Sequence, residues 1–213
     1  IATEPDARAA LVISIDIDWR EKHRFLRLVV PTALRSEVAT YETQFGLTKR
    51  PTHRNTTWDA AKFEACGHRF VDLSESDYGC SLISESKYGY SVEGSTMRAS
   101  LLKAGTYPDA HQDEGQHAMA FAVYPHAHAL EGSDAIAYAR LFNNPIESSF
   151  MMPASVNMPE VSLSGGQHAV VLDTMKRGES DFKYHSLKAS GETSVVLRLY
   201  EVGRLRLLCT IVT

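Results

Sequence analysis

Along much of the chain, apolar residues recur at every second position in short runs, and glycine, proline or a polar cluster parts one run from the next. Residues 9–17 are rich in β-formers, and from Ile13 they alternate. Ile13, Ile15 and Ile17 share one face while Ser14, Asp16 and Asp18 share the other, the period of a half-buried strand. A polar turn over 18–23 leads into a second strand at 25–30, stopped by Pro31, which cannot donate to a ladder. Residues 37–45 alternate again, with Val38, Thr40, Glu42 and Gln44 opposite Ala39, Tyr41, Thr43 and Phe45, and Gly46 ends the run. A long polar loop is expected over 50–59.

Short strands are expected next at 69–73, 79–84, 90–93 and 96–102, with Gly89 and Gly94 as punctuation. Val92-Glu93-Gly94-Ser95 supplies the positive-φ residue of a tight hairpin turn. Residues 115–124 form another strand, with His117, Met119, Phe121 and Val123 facing away from Gln116, Ala118, Ala120 and Ala122. One stretch reads as helix: Ser133 and Asp134 cap AIAYARLF, and Asn143-Asn144-Pro145 stops it. Proline and glycine make 145–166 a long crossover loop. Strands at 168–175, 194–200 and 205–212 finish the chain, with a polar turn over 176–193. The pattern predicts a mainly β protein, an antiparallel β-sandwich with one short helix.

The chain has 213 residues, enough to bury a sizeable core. Its formal charge of −4 and the lack of any basic block argue against a nucleic-acid surface. No apolar run approaches the roughly 20 residues that span a bilayer, so no membrane contact is expected. Three cysteines, Cys66, Cys80 and Cys209, form no paired motif and predict free thiols rather than a disulfide framework. Cytoplasmic or vacuolar residence follows better than secretion, and Asn55-Thr56-Thr57, a glycosylation acceptor pattern, carries little weight. The chain begins at Ile1 and stops inside an apolar run, so it is expected to be a piece of something longer, truncated at both ends.

Candidate chemistry is sparse. His126-Ala-His128 would place two imidazoles on one face of a strand as a metal arm, but Pro125 argues for a strand end or loop. Zinc normally needs three or four convergent ligands, so two exposed loop histidines are the plainer reading. The run Asp113-Glu114-Gly115-Gln116-His117 brings carboxylates and a histidine together. It reads either as a general acid/base pair or as a polar loop feeding a strand. Trp58, Tyr78, Tyr88, Tyr90 and Tyr107 give an aromatic density suited to sugar rings, or to packing within a sandwich. No Gly-x-Ser-x-Gly elbow is present to support a hydrolase triad.

The order of motifs is more telling than any one of them. DWREKH then FLRLVVP, ATYETQFG, RPTHRNTTWDAAKFE, HRFVDLSE, YGCSLISESKYGYSVEGSTMRASLL, VVLDTMKRGE and VVLRLYE resemble the C-terminal β-sandwich region of a glycoside hydrolase family 38 α-mannosidase of the cytosolic and fungal vacuolar branch. The resemblance runs from about Ile13 to Glu201. It implies a supersandwich of the galactose-mutarotase-like kind, with residues 1–213 as one C-terminal domain. It also implies that the parent enzyme hydrolyses α-mannosides with retention, using an aspartate nucleophile and a zinc ion in a catalytic domain absent from this chain. No cofactor is then expected here, and no catalytic residue.

The expected partners are that catalytic domain, mannose-containing glycans and a second copy of the chain covering open edges. The loops expected to reach the sugar pocket are 87–90 and 113–117, with Lys87, Tyr88, Tyr90, Asp113 and His117 as candidate substrate-binding residues. A stand-alone mannose-binding lectin on the same scaffold is the alternative function.

Overall fold

The computed structural model describes residues 10–145, 162–164, 170–178, 195–202 and 210–212. The chain divides into two compact units, Ile1–Ser148 and Ser149–Thr213. The first carries β1 (Leu11–Trp19), β2 (Phe25–Pro31), β3 (Val38–Thr43), β4 (Gly46–Pro51), α1 (Thr57–Ala61), β5 (Ala65–Cys66) and β6 (Phe70–Ser74). It continues with β7 (Tyr78–Ser84), β8 (Gly89–Glu93), β9 (Thr96–Lys103), β10 (Gly115–Ala127), a 3-10 turn (Leu130–Gly132) and α2 (Ala135–Asn143). All pairings are antiparallel. One sheet runs β1-β10-β7-β6-β3-β4, the other β2-β9-β8-β5.

The two sheets face each other across the core, so the fold is the antiparallel sandwich that the alternation predicts. Ala39, Tyr41, Val71, Leu73, Leu82, Met119 and Phe121 point inward from the six-stranded sheet and meet Tyr90, Val92, Met97, Ala99 and Leu101 from the other. Ile13, Ile15 and Ile17 pack on the same core from β1, as their spacing requires. The middle of the other face of the six-stranded sheet is buried as well, with α2 lying on it, while Ser14, Asp16 and Asp18 of β1 stay exposed on that face. Ala135, Ile136 and Ala139 of the helix are buried, and the Tyr138 ring stacks on Tyr124 of β10 with centroids 4.3 Å apart. That second buried face explains why Thr40, Glu42, Asp72, Ser81 and His126 are polar yet enclosed.

Several expectations need correction. Gly46 does not end a strand. It opens β4 after the two-residue turn Gln44-Phe45, in which Phe45 takes φ +52° and its ring faces solvent. The sequence of β4 is too polar to signal a strand because β4 is the edge of its sheet. The loop expected over 50–59 gives way at Thr57 to α1, whose N-cap Thr56 accepts from the Asp59 amide at 3.1 Å and donates to Asp59 Oδ2 at 2.7 Å. Among the described residues there are therefore two α-helices rather than the one expected. Pro125 does not stop β10. Beyond Val123, β10 has β7 on one side and no longer pairs with β1, a setting that tolerates a residue without an N–H. The Gly94 hairpin is as expected, with φ +56° in a two-residue loop between Glu93 and Thr96.

The second unit shows β11 (Ser162–Ser164) paired with β14 (Thr210–Val212), and β12 (Val170–Arg177) paired with β13 (Val195–Glu201), both antiparallel. β11 interrupts the crossover expected over 145–166. The remainder of that crossover and most of the 176–193 turn lie outside the described residues. Among the described residues no helix is long and apolar enough to cross a membrane.

Candidate functional site

The KYGY loop joins β7 to β8. Ser84 Oγ accepts from the amides of Ser86 at 3.3 Å and Lys87 at 2.9 Å, a side-chain turn that fixes where the loop leaves the strand. Lys87 is half-buried, and Tyr88 is exposed with its ring edge-on to His68. Tyr90 differs. β8 begins at Gly89, so Tyr90 already points into the sandwich. It is 0% exposed, its hydroxyl donates to the His68 carbonyl at 3.2 Å, and burial pushes its pKa up. Of the candidates in this loop, Lys87 and Tyr88 reach solvent and Tyr90 is a core residue.

The second loop leads into β10. Asp113, at φ +57°, accepts the Lys103 amide through Oδ2 at 2.8 Å, and its carbonyl accepts from His117 Nε2 at 2.8 Å. A carbonyl only accepts, so Nε2 carries the proton and His117 is held by its own loop. Glu114 pairs with His111 Nδ1 at 2.7 Å, and that hydrogen bond holds its carboxyl below the usual range. An exposed carboxylate held ionised is poorly suited to act as a general acid near neutral pH.

Both loops open at the same end of the sandwich, where β8 starts, β9 ends and β10 starts. No hydrogen bond or ion pair joins them among the described residues. At that end lies a groove lined by Phe25, Arg27, Phe63, Glu64, Lys103 and Asp113. Arg27 stacks over the Phe25 ring at 4.4 Å and donates to Glu64 Oε1 at 3.2 Å, and Ser100 Oγ donates to the same carboxylate. Half-exposed aromatic faces beside a fixed guanidinium and carboxylates suit the mixed surface of a sugar. Asp113 of this groove is among the residues the sequence singles out, whereas Phe25 and Arg27, from one segment, and Phe63 and Glu64, from another, carry no local signal.

The most tightly bonded cluster lies under α2. Asp72 accepts from Ser74 Oγ, from Ser81 Oγ at 2.7 Å and from His126 Nε2 at 2.8 Å. His126 is therefore a buried residue of β10, not an exposed loop histidine. Burial alone would depress the His126 pKa, but the Asp72 hydrogen bond and charge outweigh it, so the imidazole titrates above its ordinary value. Beside it, burial and then the Asp72 charge push the Cys80 thiol up to about 11. Cys66 is a free, exposed thiol, and Cys209 lies outside the described residues. Serine, aspartate and histidine meet here in the wrong order for a triad: the serines donate to the carboxylate, not to the imidazole.

A zinc site does not fit the described residues. No three His, Cys, Asp or Glu side chains converge there, and His126 Nε2 is committed to Asp72.

Residues 6–111 match the family model for the glycosyl hydrolases family 38 C-terminal domain. The chain belongs to glycoside hydrolase family 38. It is 42% identical over 201 residues to an α-mannosidase of Saccharomyces cerevisiae, covering 92% of this chain and 18% of that protein. It is also 42% identical over 189 residues to α-mannosidase 2C1 of Homo sapiens, covering 87% of this chain and 17% of that protein. The crystal structure of an α-mannosidase from Enterococcus faecalis superposes with a TM-score of 0.69 over 81% of this chain, at 18% identity and 21% of the larger chain. The family 38 chain described here thus spans less than a fifth of the length of its curated relatives, and it corresponds to their C-terminal β-sandwich region.

Proposed function

We propose that this chain is the non-catalytic C-terminal portion of a zinc-dependent, retaining α-mannosidase, and that it packs against the catalytic domain and helps close the sugar pocket. The observation that carries this reading is the match to the C-terminal domain model together with coverage of only 18% of the yeast relative. The nucleophile and the zinc ligands are assigned to the part of the parent outside this chain. The zinc there would act as a Lewis acid toward the sugar. Within this chain, the end of the sandwich that bears Lys87, Tyr88, Asp113 and His117 is the surface that faces the pocket. Cytoplasmic or vacuolar residence is part of the same reading.

The groove between Phe25, Phe63 and Asp113 favours a second reading, in which the chain binds mannose-containing glycans by itself as a lectin. Calorimetric titration with mannose and α-mannosyl disaccharides, with a p-nitrophenyl mannoside assay on the same sample, separates the two. The pocket-closing reading expects neither binding nor turnover by the chain alone. It also expects a raised KM when Asp113→Ala is placed in the intact enzyme. Saturable binding without turnover would establish the lectin reading instead, and turnover by the chain alone would overturn both.

A further inference from the structure

A different cleft lies where β4, α1 and β8 meet. Arg50 projects into it from β4, on the face shared with Ala39 and Tyr41, and its guanidinium carbon sits 5.3 Å from the centre of the Tyr41 ring. Ser91 reaches it from β8. Each residue carries a polar atom that is closed to solvent and has no partner among the described residues: Nε of Arg50 and Oγ of Ser91, the serine being only 6% exposed. Buried polar groups are almost always satisfied, and leaving one unpaired is costly. Two such orphans lining one cleft mark a place for something else to bind.

The charges say what. Arg50, Arg54 and Lys62 line the cleft against one carboxylate, Asp59. That carboxylate is already engaged by Thr56 Oγ1 at 2.7 Å, which holds it ionised and turned to the helix cap. Glu93, at 3.6 Å from Arg54, answers one of the cations from the rim. Among the described residues Arg50 has no carboxylate within ion-pair distance. Its Nε–H can only donate, so the missing partner must be an acceptor, and the cationic lining selects an anionic one. Burial lifts the Tyr41 hydroxyl to about 12, so it stays neutral beside the site and adds no negative charge.

We infer that this cleft is an oxyanion site that takes a carboxylate or phosphate group, with Arg50 Nε and Ser91 Oγ as its inner donors and Arg54 and Lys62 supplying charge at its mouth. It is separate from the groove that contains Asp113 and does not depend on the mannosidase reading.

The test is a titration of the whole 213-residue chain with inorganic phosphate and, separately, with acetate, each at constant ionic strength, followed through the Arg50 Nε–H resonance. The site predicts saturable binding of at least one anion, with that resonance shifting along the same isotherm. A preference for phosphate or for acetate tells which group it is built for. Ser91→Ala should weaken binding about tenfold, and Arg50→Lys, which keeps the charge but loses the fork, should weaken it more. The two variants guard each other if one fails to fold. Linear, unsaturable shifts with both anions would overturn the proposal, and so would unchanged affinity in the folded variants.

Discussion

His126 Nε2 lies 2.8 Å from Asp72 Oδ2, and neither side chain exposes more than 1% of its surface. The other ring nitrogen, Nδ1, faces the Ala127 carbonyl at 3.4 Å, so both nitrogens look at acceptors, the arrangement an imidazolium requires. The native pKa of His126 is raised above its ordinary value of about 6.5. Its contribution to stability is therefore complete below that ordinary value and is lost as pH rises through the native one. We expect Tm to fall as pH is taken from about 6 to about 9, and Asp72→Asn to flatten that dependence. Thermal melts of both proteins across the range check it. A wild-type slope equal to that of Asp72→Asn would show that the pair does not titrate as described.

Gly79 lies opposite His126 across the β7–β10 ladder, where a side chain has no room. A Cβ there would stand 2.3 Å from Ser74 Oγ and 2.5 Å from His126 Cε1. Gly79→Ala must push aside a group that holds Asp72. A loss of roughly 1–3 kcal/mol is expected in urea unfolding, with the pH dependence of Tm altered at the same time. An overpacked site remote from the pair would change stability alone.

Glu42 is 2% exposed and fully engaged: Arg69 donates to it from its backbone amide at 2.9 Å, from Nε at 2.8 and 2.9 Å, and from Nη2. Removing the guanidinium strands a buried carboxylate. Arg69→Ala should cost about 3–5 kcal/mol, and Glu42→Gln about 1.5–3 kcal/mol because the amide keeps some of the bonds. Equilibrium denaturation of the two variants tests both the size and the order of these losses.

At Gly94 the difficulty is the backbone, since a Cβ would meet nothing within 4 Å at φ +56°. Gly94→Ala should cost about 1–2 kcal/mol for the left-handed conformation, and Gly94→Asn less, because asparagine tolerates it better. Equal losses for the two would point to a steric cause instead.

What could be read from the chain, and what could not, follows from how many faces an element buries. β1 and β10 alternate plainly: Ile13, Ile15 and Ile17, and Met119 and Phe121, each mark an inward face. β4 gave no such mark, since an edge strand reading LTKRP needs little apolar content. α1 is too short to show a helical period, and its one signal is the spacing of Thr56 and Asp59. Tyr88 and Tyr90 look alike in sequence, and only the start of β8 at Gly89 sends one to solvent and the other inside. Asp72 and His126 are 54 residues apart and meet through the pairing of β6 and β10 with β7, a register that no local pattern encodes. The groove and the oxyanion cleft are assembled across segments in the same way.

Burial of the middle of the six-stranded sheet on both faces also ranks the amides by how readily they exchange with solvent. β6 and β7 are paired on both sides and covered above and below, so their protons should be released only when the whole unit unfolds. The loops at 85–88 and 104–114 and the outer strands β4 and β5 should open through smaller fluctuations well before that. Of the residues placed at the sugar-facing end or the oxyanion cleft, Arg50, Lys87, Tyr88 and Asp113 sit on these readily opened parts. Anything that binds them will slow deuterium uptake at the rim and leave the centre unchanged, so the occupant can be located without first knowing its identity.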